Sequence, residues 1–317
     1  MRCRLLAWIL GCLLSAPSLA SLAAEPSLPG GGKWPFVADG PAFRFDTGLV
    51  KGRLRGGDRA PSQGITSLAF GPQELPVTTF YGLFSHYRLL SANARYSTAA
   101  WDWASEAKLL PDGRVQVRWQ ADADHPFDLM AVYGWSGKDT LDVVTTVTPQ
   151  RDLPGFEQYL ASYHQGFPTS YVYAREGAEA ALVEARQSDG EWQIFPRDEE
   201  AVQLIHDGRW QRQPHPVEWA VRAPLAAPLG VRRDPATGLA VLVMAPPEDC
   251  FAVSTPYGEE GHRSIYLSLF GRDLAAGQAA TARSRLVVAQ NISDQEAIEV
   301  YRRAERQWRT VAEGAPR

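Results

Sequence analysis

Pro111-Asp112-Gly113-Arg114-Val115-Gln116-Val117-Arg118-Trp119-Gln120 is the stretch whose reading decides the fold. Pro-Asp-Gly forms a turn, because proline presets φ at one corner and glycine accepts a positive φ at the other. Beyond it Val115, Val117 and Trp119 alternate with Gln116, Arg118 and Gln120, which on a pleated strand puts the apolar side chains on one face and the polar ones on the other. That is a half-buried antiparallel strand.

The same pattern recurs along the chain. Phe127 to Tyr133, Leu141 to Thr148, Leu239 to Ala245, Ile265 to Phe270 and Ser284 to Ala289 are short β-branched or aromatic runs, separated by turns such as Ser136-Gly137-Lys138-Asp139 and Asp234-Pro235-Ala236-Thr237-Gly238. From Trp34 to about Gln290 such runs predict roughly fifteen or more strands, too many for an immunoglobulin-sized sandwich. With no second linker and no fixed-period repeat, the expectation is one all-β domain over 34–317, a large antiparallel β-supersandwich. Near the end, Ser293-Asp294-Gln295-Glu296 is a capping box. Ala297, Tyr301, Ala304, Trp308 and Val311 then share one helical face, predicting a C-terminal amphipathic helix over about 294–313 with Trp308 as its packing anchor.

Residues 1–24 read as a signal peptide, with Arg2 and Arg4 before the apolar run Leu5 to Leu14 and small residues at 18–24. Residues 25–33 form a Pro/Gly-rich flexible leader, so the expected destination is the periplasm or the exterior. Ile9-Leu10-Gly11-Cys12 resembles a lipoprotein box, although more apolar sequence follows Cys12. No later apolar run reaches the ~20 residues that span a bilayer, so the chain is not expected to cross a membrane. Loss of Arg2 and Arg4 takes the net charge from −4 to −6, a sign that argues against nucleic acid as a partner. Loss of Cys3 and Cys12 leaves Cys250 with no partner for a disulfide. A phosphate-binding glycine loop, an HExxH helix, a GxSxG elbow and a calcium loop are all missing from the sequence, and no cofactor is expected.

The densest cluster of chemistry-bearing residues is Phe84-Ser85-His86-Tyr87-Arg88, followed by Asn93, Arg95, Tyr96 and Trp101-Asp102-Trp103. Indole rings around a carboxylate, near His, Tyr and Arg, suit a sugar, whose C–H faces stack on aromatics while its hydroxyls take hydrogen bonds. The same Trp-Asp-Trp also fits a strand with both indoles in the core and Asp102 in solvent. His164 lies in Ser162-Tyr163-His164-Gln165, and His262 in Glu259-Glu260-Gly261-His262-Arg263 just before a strand. These can serve as acid, base or, gathered with a carboxylate, metal ligands; equally, the second stretch reads as a solvated hairpin loop. His125, His206 and His215 sit in turn-like sequence and are set aside.

The strand density over about 40–290, His86 early, His164 about 78 positions later, and the acidic Glu259-Glu260 loop before Tyr266-Leu267-Ser268-Leu269-Phe270-Gly271-Arg272 together resemble the galactose-mutarotase-like superfamily. The stretches Ala99-Ala100-Trp101-Asp102-Trp103 and Gly261-His262-Arg263-Ser264 are similar to its uncharacterised secreted bacterial members. The resemblance implies that His164 is the general acid, His86 an auxiliary hydrogen-bond donor and Glu260 the base, opening a sugar ring so that it recloses on the other face. Tyr87-Arg88 stand where epimerases carry glycines after the first histidine, and the upstream Asn-Arg pair is not evident.

The expectation is therefore an exported protein that binds a mono-, oligo- or polysaccharide on the concave sheet face. Trp101 and Trp103 would serve as platforms, and Tyr87, Arg88, Asp102, Tyr163, His262 and Arg263 as contacts. Three chemistries stay open: epimerase-like catalysis, cleavage of a glycan by a lyase or hydrolase, and non-catalytic binding or an envelope-structural role. In a lyase, Tyr87, Tyr163, Arg88 and Arg263 would supply the base and the cation beside a uronate.

Overall fold

The computed structural model describes residues 33–56, 63–92 and 94–314, with side chains to 310. The signal peptide, all but Lys33 of the leader, Asn93 and the side chain of Val311 lie outside them.

The alternating strand Val115–Trp119 pairs with Phe127–Trp135, and Val115, Val117 and Trp119 are buried in the main core as the period-two pattern requires. It belongs to a nine-stranded sheet in which Thr140–Pro149, Ala280–Gln290, Leu239–Met244 and Leu225–Asp234 are the central strands. A seven-stranded sheet faces it. Its strand order is Ala220–Val221, Trp192–Pro196, Cys250–Pro256, Ser264–Leu274, Leu153–Tyr163, Ser85–Ser91 and Ala94–Tyr96, antiparallel except for the first pair. Leu129, Val143, Val241 and Leu286 from the first sheet and Leu160, Val253, Ile265 and Leu267 from the second fill the space between them. A five-stranded antiparallel sheet, Val37–Asp39 through Leu75–Pro76, packs Phe43, Phe45, Leu54 and Leu68 into the same core. The architecture is the expected all-β supersandwich, strand-rich with few helices.

The C-terminal helix runs Asp294–Gly314. Ser293 N donates to Glu296 Oε2 (2.9 Å) and Glu296 N donates to Ser293 Oγ (3.2 Å), which completes the capping box. Ala297, Tyr301, Ala304 and Trp308 bury against Leu229, Leu242, Met244 and Val287 on the outer face of the nine-stranded sheet. That sheet is thereby covered on both faces.

The seven-stranded sheet is covered differently, and this creates the site. Its outer face carries residues whose parity is opposite to the core: Tyr159, Ala161 and Tyr163 alternate with Leu160, and Tyr266 with Ile265 and Leu267. A segment of little regular structure crosses this face: the short helix Glu199–His206, the 3₁₀ turn Arg209–Gln211 and the stretch up to Ala220. Its anchor is Arg209, fully buried, which donates to Gly155 O (2.8 Å), Glu157 Oε2 (3.3 Å) and Asp207 Oδ2 (2.7 Å). Arg95 adds ties to the carbonyls of Arg212 (3.0 Å) and Pro214, and Arg212 Nη2 donates to Ala92 O (2.9 Å).

Candidate functional site

Strand Ser85–Ser91 would ordinarily send Tyr87 and Arg88 to opposite faces. It does not, because the pairing register slips: Gln158 opposes Leu89 and Leu160 opposes His86, so Tyr87 and Arg88 together face the single residue Tyr159. This β-bulge turns both side chains outward, a common use of bulges. They become one wall of a cavity of about 340 Å³ between the sheet and the crossing segment, the size of a small-molecule pocket. Tyr159, Tyr163 and Tyr266 form its floor, Trp192 its far wall, and Trp210, Val217 and Trp219 its roof, with His215 and His262 also lining it.

The rings pack against one another. Tyr159 stacks on Tyr266 (4.5 Å between centroids), Trp210 meets Tyr159 edge-on (4.8 Å), and Trp219 stands perpendicular to Trp210 (5.1 Å). Burial pushes the Tyr159 and Tyr163 phenols well up and that of Tyr266 to about 12. All three stay protonated near neutrality and offer O–H donors and ring faces. At the rim, Phe80 and Tyr81, 59% and 43% exposed, stack together (4.0 Å), and Tyr81 leans on Tyr163 (5.3 Å).

The titratable pair at the mouth is Glu260 with His262. Glu260 Oε2 accepts from His262 N (2.8 Å), and Oε1 lies 2.8 Å from His262 Nδ1. The imidazole is 54% exposed and packs against Trp192 (5.3 Å), while the carboxylate is 13% exposed. Arg232, buried between the sheets, holds their loop at both ends, donating to Gly258 O (2.9 Å) and Ser264 O (3.3 Å). At Gly258 the backbone passes so close to Pro168 O that a Cβ would stand 2.2 Å from it.

Of the residues expected at a site, Tyr87, Arg88, Tyr163 and His262 line this cavity, and Glu260 orients His262. Trp101 is half-buried and stacks on Tyr87, 4.8 Å away with the ring planes 4° apart. The others are corrected by their placement. Trp103 is not a platform: it is buried in the main core against His125 (3.7 Å) and Phe127 (6.0 Å). Asp102 is exposed and Arg263 half-buried, and neither lines the cavity. Trp101-Asp102 belongs to a 3₁₀ turn, Ala100–Asp102, so strand alternation does not apply there.

His86 and His164, expected as auxiliary donor and general acid, do not reach the cavity. His86 faces the nine-stranded sheet in a closed network. Tyr133 Oη donates to Phe84 O (2.9 Å) and accepts from Gln63 Nε2 (2.8 Å), which leaves it to accept from His86 Nδ1 (3.2 Å), while Thr145 Oγ1 meets Nε2 (3.0 Å). Burial depresses the His86 pKa to about 3, so the ring is neutral and structural. His164 is likewise buried, beside Phe167 (5.6 Å), its pKa held well down by burial and then by Arg232. The three expected catalytic residues therefore do not surround one pocket. Among the described residues no three His, Cys, Asp or Glu side chains gather as metal ligands. Cys250 is buried, its thiol pushed up to about 12 by burial.

Sequence reasoning missed Trp192, Trp210, Trp219, Tyr159 and Tyr266, and set His215 aside. The available signal was Trp210-Gln211-Arg212-Gln213-Pro214-His215-Pro216-Val217-Glu218-Trp219, two indoles bracketing a polar stretch with two prolines.

No protein-family model matches the chain, and no curated protein matches it. Among solved structures it is similar to the α-N-acetylgalactosaminidase NagBb from Bifidobacterium bifidum in complex with GalNAc, at 10% identity and a TM-score of 0.50, over 86% of this chain and 39% of that one. A putative aldose 1-epimerase from Escherichia coli K12 aligns at 12% identity and a TM-score of 0.42 over 81% and 99%. A heparan sulfate lyase HepC mutant from Pedobacter heparinus aligns at 6% and 0.46 over 82% and 37%. With the galactosaminidase the shared property is the fold, and the chain spans well under half of the galactosaminidase and of the lyase.

Proposed function

We propose that this is an exported carbohydrate-binding protein that seats a sugar ring in the cavity on the outer face of the seven-stranded sheet, with the Glu260–His262 pair equipping it for acid–base chemistry. The observation that carries the reading is the lining itself: aromatic side chains from both the sheet and the crossing segment, interspersed with Arg88, His215 and His262. Flat apolar faces with polar groups between them match a pyranose, whose two faces are C–H and whose edge is hydroxyl.

Donation of Nδ1–H to Glu260 leaves the His262 Nε2 lone pair free to take a proton from a hydroxyl and return it. Glu260 then stabilises the imidazolium that forms. Such a relay suits opening of a ring at its anomeric carbon, where the proton taken from the anomeric hydroxyl is handed to the ring oxygen as its bond to that carbon breaks, and reclosing runs the same transfers in reverse. The competing chemistries draw less support. A hydrolase normally needs two carboxyl groups flanking the bond, and none of the side chains lining the cavity is Asp or Glu. A lyase with Tyr163 or Tyr266 as its tyrosinate base would have to ionise a phenol whose pKa burial raises.

The test is a panel of free sugars and polysaccharides offered to the purified mature protein. Thermal shift, polarimetric anomer interconversion, reducing-end release and unsaturated-product absorbance are recorded together. A thermal shift with accelerated anomer interconversion is expected. A shift with no chemistry would leave a binding module, and no shift with any carbohydrate would refute the reading.

A further inference from the structure

Four arginines are buried among the described residues: Arg88, Arg209, Arg232 and Arg285. Three have their guanidinium groups met by oxygen. Arg209 faces Glu157 and Asp207, Arg285 faces both oxygens of Asp142 (2.7 and 3.0 Å), and Arg232 donates to the carbonyls of Phe167, Gly258 and Ser264. Arg88 is the exception. It is 4% exposed, and among the described residues its Nε and Nη1 have no acceptor and its only hydrogen bond is a long one from Nη2 to Tyr87 Oη (3.4 Å). Among the described residues no carboxylate pairs with it.

We propose that the cavity takes a sugar bearing an oxyanion, a uronate carboxylate or a sulfate ester, received by the Arg88 guanidinium. This rests on the reading of the cavity as a sugar site and names the class of sugar.

The surroundings of Arg88 are built for such a group. Its cation lies over the Tyr87 ring (5.0 Å) and the Trp210 ring (5.2 Å), contacts that hold the guanidinium in place without occupying its N–H donors. The indole Nε1 atoms of Trp210 and Trp219, in the roof of the same cavity, also lack acceptors. The unmet groups are thus all donors. A second cation, Arg95, lies close enough for Arg88 to help depress its pKa, after burial, to about 10, and its Nη2 is unmet as well. Among the described residues the cavity lining thus holds one guanidinium and two indole rings with unmet N–H groups and no Asp or Glu, an electropositive recess. Sugar hydroxyls can accept from such donors, but only an anion also balances the charge.

Isothermal titration of the full mature chain tests this with trisaccharides of glucuronate, galacturonate and mannuronate. Each is paired with its carboxyl-reduced neutral counterpart and with that counterpart carrying a 6-O-sulfate. At least one charged member is expected to bind ten-fold or more tightly than its neutral twin, with an advantage that shrinks as salt is raised. Preference for carboxylate or for sulfate identifies the source of the oxyanion. Arg88→Gln should abolish the discrimination and Arg88→Lys should keep part of it. Trp219→Phe, which keeps a ring and removes the N–H, should weaken the charged ligand more than the neutral one. If Arg88→Gln does not fold, the charged-to-neutral ratio of the wild-type protein still decides. Neutral sugars binding as tightly as their charged twins would overturn the proposal while leaving the sugar site standing. No binding by any sugar, charged or neutral, would overturn both.

Discussion

The imidazole of His262 and the carboxylate of Glu260 are joined at 2.8 Å across a single intervening residue, so the base and the group that orients it belong to one turn of chain. Residues this close in sequence need only a fixed loop to be fixed relative to each other. If the pair carries chemistry, Glu260→Gln and His262→Asn should each lower turnover by about 10²–10⁴-fold, the usual worth of a positioned acid or base. Stability should move by no more than about 0.5 kcal/mol for His262→Asn, because that side chain is exposed. Steady-state kinetics beside urea unfolding checks both, and full turnover in His262→Asn would remove the pair from the mechanism.

Arg232 should be a positioning residue for that loop. Arg232→Met leaves the carbonyls of Phe167, Gly258 and Ser264 without their donor, at a cost of roughly 2–4 kcal/mol. Hydrogen exchange at 258–264 should quicken in the variant more than exchange in the central strands of the nine-stranded sheet. Uniform quickening would mean that Arg232 supports the fold as a whole.

Acid should unfold the protein through its buried histidines. The folded-state pKa of His86 is depressed to about 3 and that of His164 lies well below its ordinary value, so below about pH 6.5 the unfolded chain takes up protons that the folded one refuses. Their contribution to stability is fully present above about pH 6.5 and falls with pH by roughly 1.4 kcal/mol per unit for each ring, for His86 down to about pH 3. His86→Gln should be less stable at pH 7 and should show an acid slope shallower by about that amount in urea titrations between pH 4 and 6, in the range where His86 is refused its proton. An unchanged slope would contradict the neutral, closed network around His86.

Trp308 should hold the C-terminal helix to its sheet. It is buried beside Tyr301 (6.3 Å) and under the Arg285 guanidinium (5.5 Å), so Trp308→Ala should cost about 3–5 kcal/mol. Far-UV circular dichroism would show the helix retained or lost, and a cost below about 1 kcal/mol would show that the helix is held elsewhere.

Much of the fold was legible because its signals are local. Val115, Val117 and Trp119 announce their strand by alternation, and Ser293 with Glu296 announces the helix start by spacing. The site was legible only in part. Alternation separates neighbours, so the contiguous group Phe84 to Arg88 had to divide between the core and the outer face, and His86 went inward. Only the register slip opposite Tyr159 keeps Tyr87 and Arg88 together, and a register slip depends on a partner strand about seventy residues away. The roof was hidden for another reason: Trp210 and Trp219 lie in a segment with no period, and what they cover is decided by the buried anchor Arg209.

The most direct measurement uses the cavity's own indoles. Trp192, Trp210 and Trp219 line it, so a bound ring must change their environment. Tryptophan emission should be followed while the neutral and anionic sugars are titrated into the wild-type protein and into Tyr87→Ala and Trp219→Ala, with the fold of each checked by circular dichroism. At least one sugar should give a saturable change in the wild-type protein that is lost or weakened ten-fold or more in both variants. No saturable change with any sugar, or one of equal affinity in all three proteins, would contradict a sugar site in this cavity.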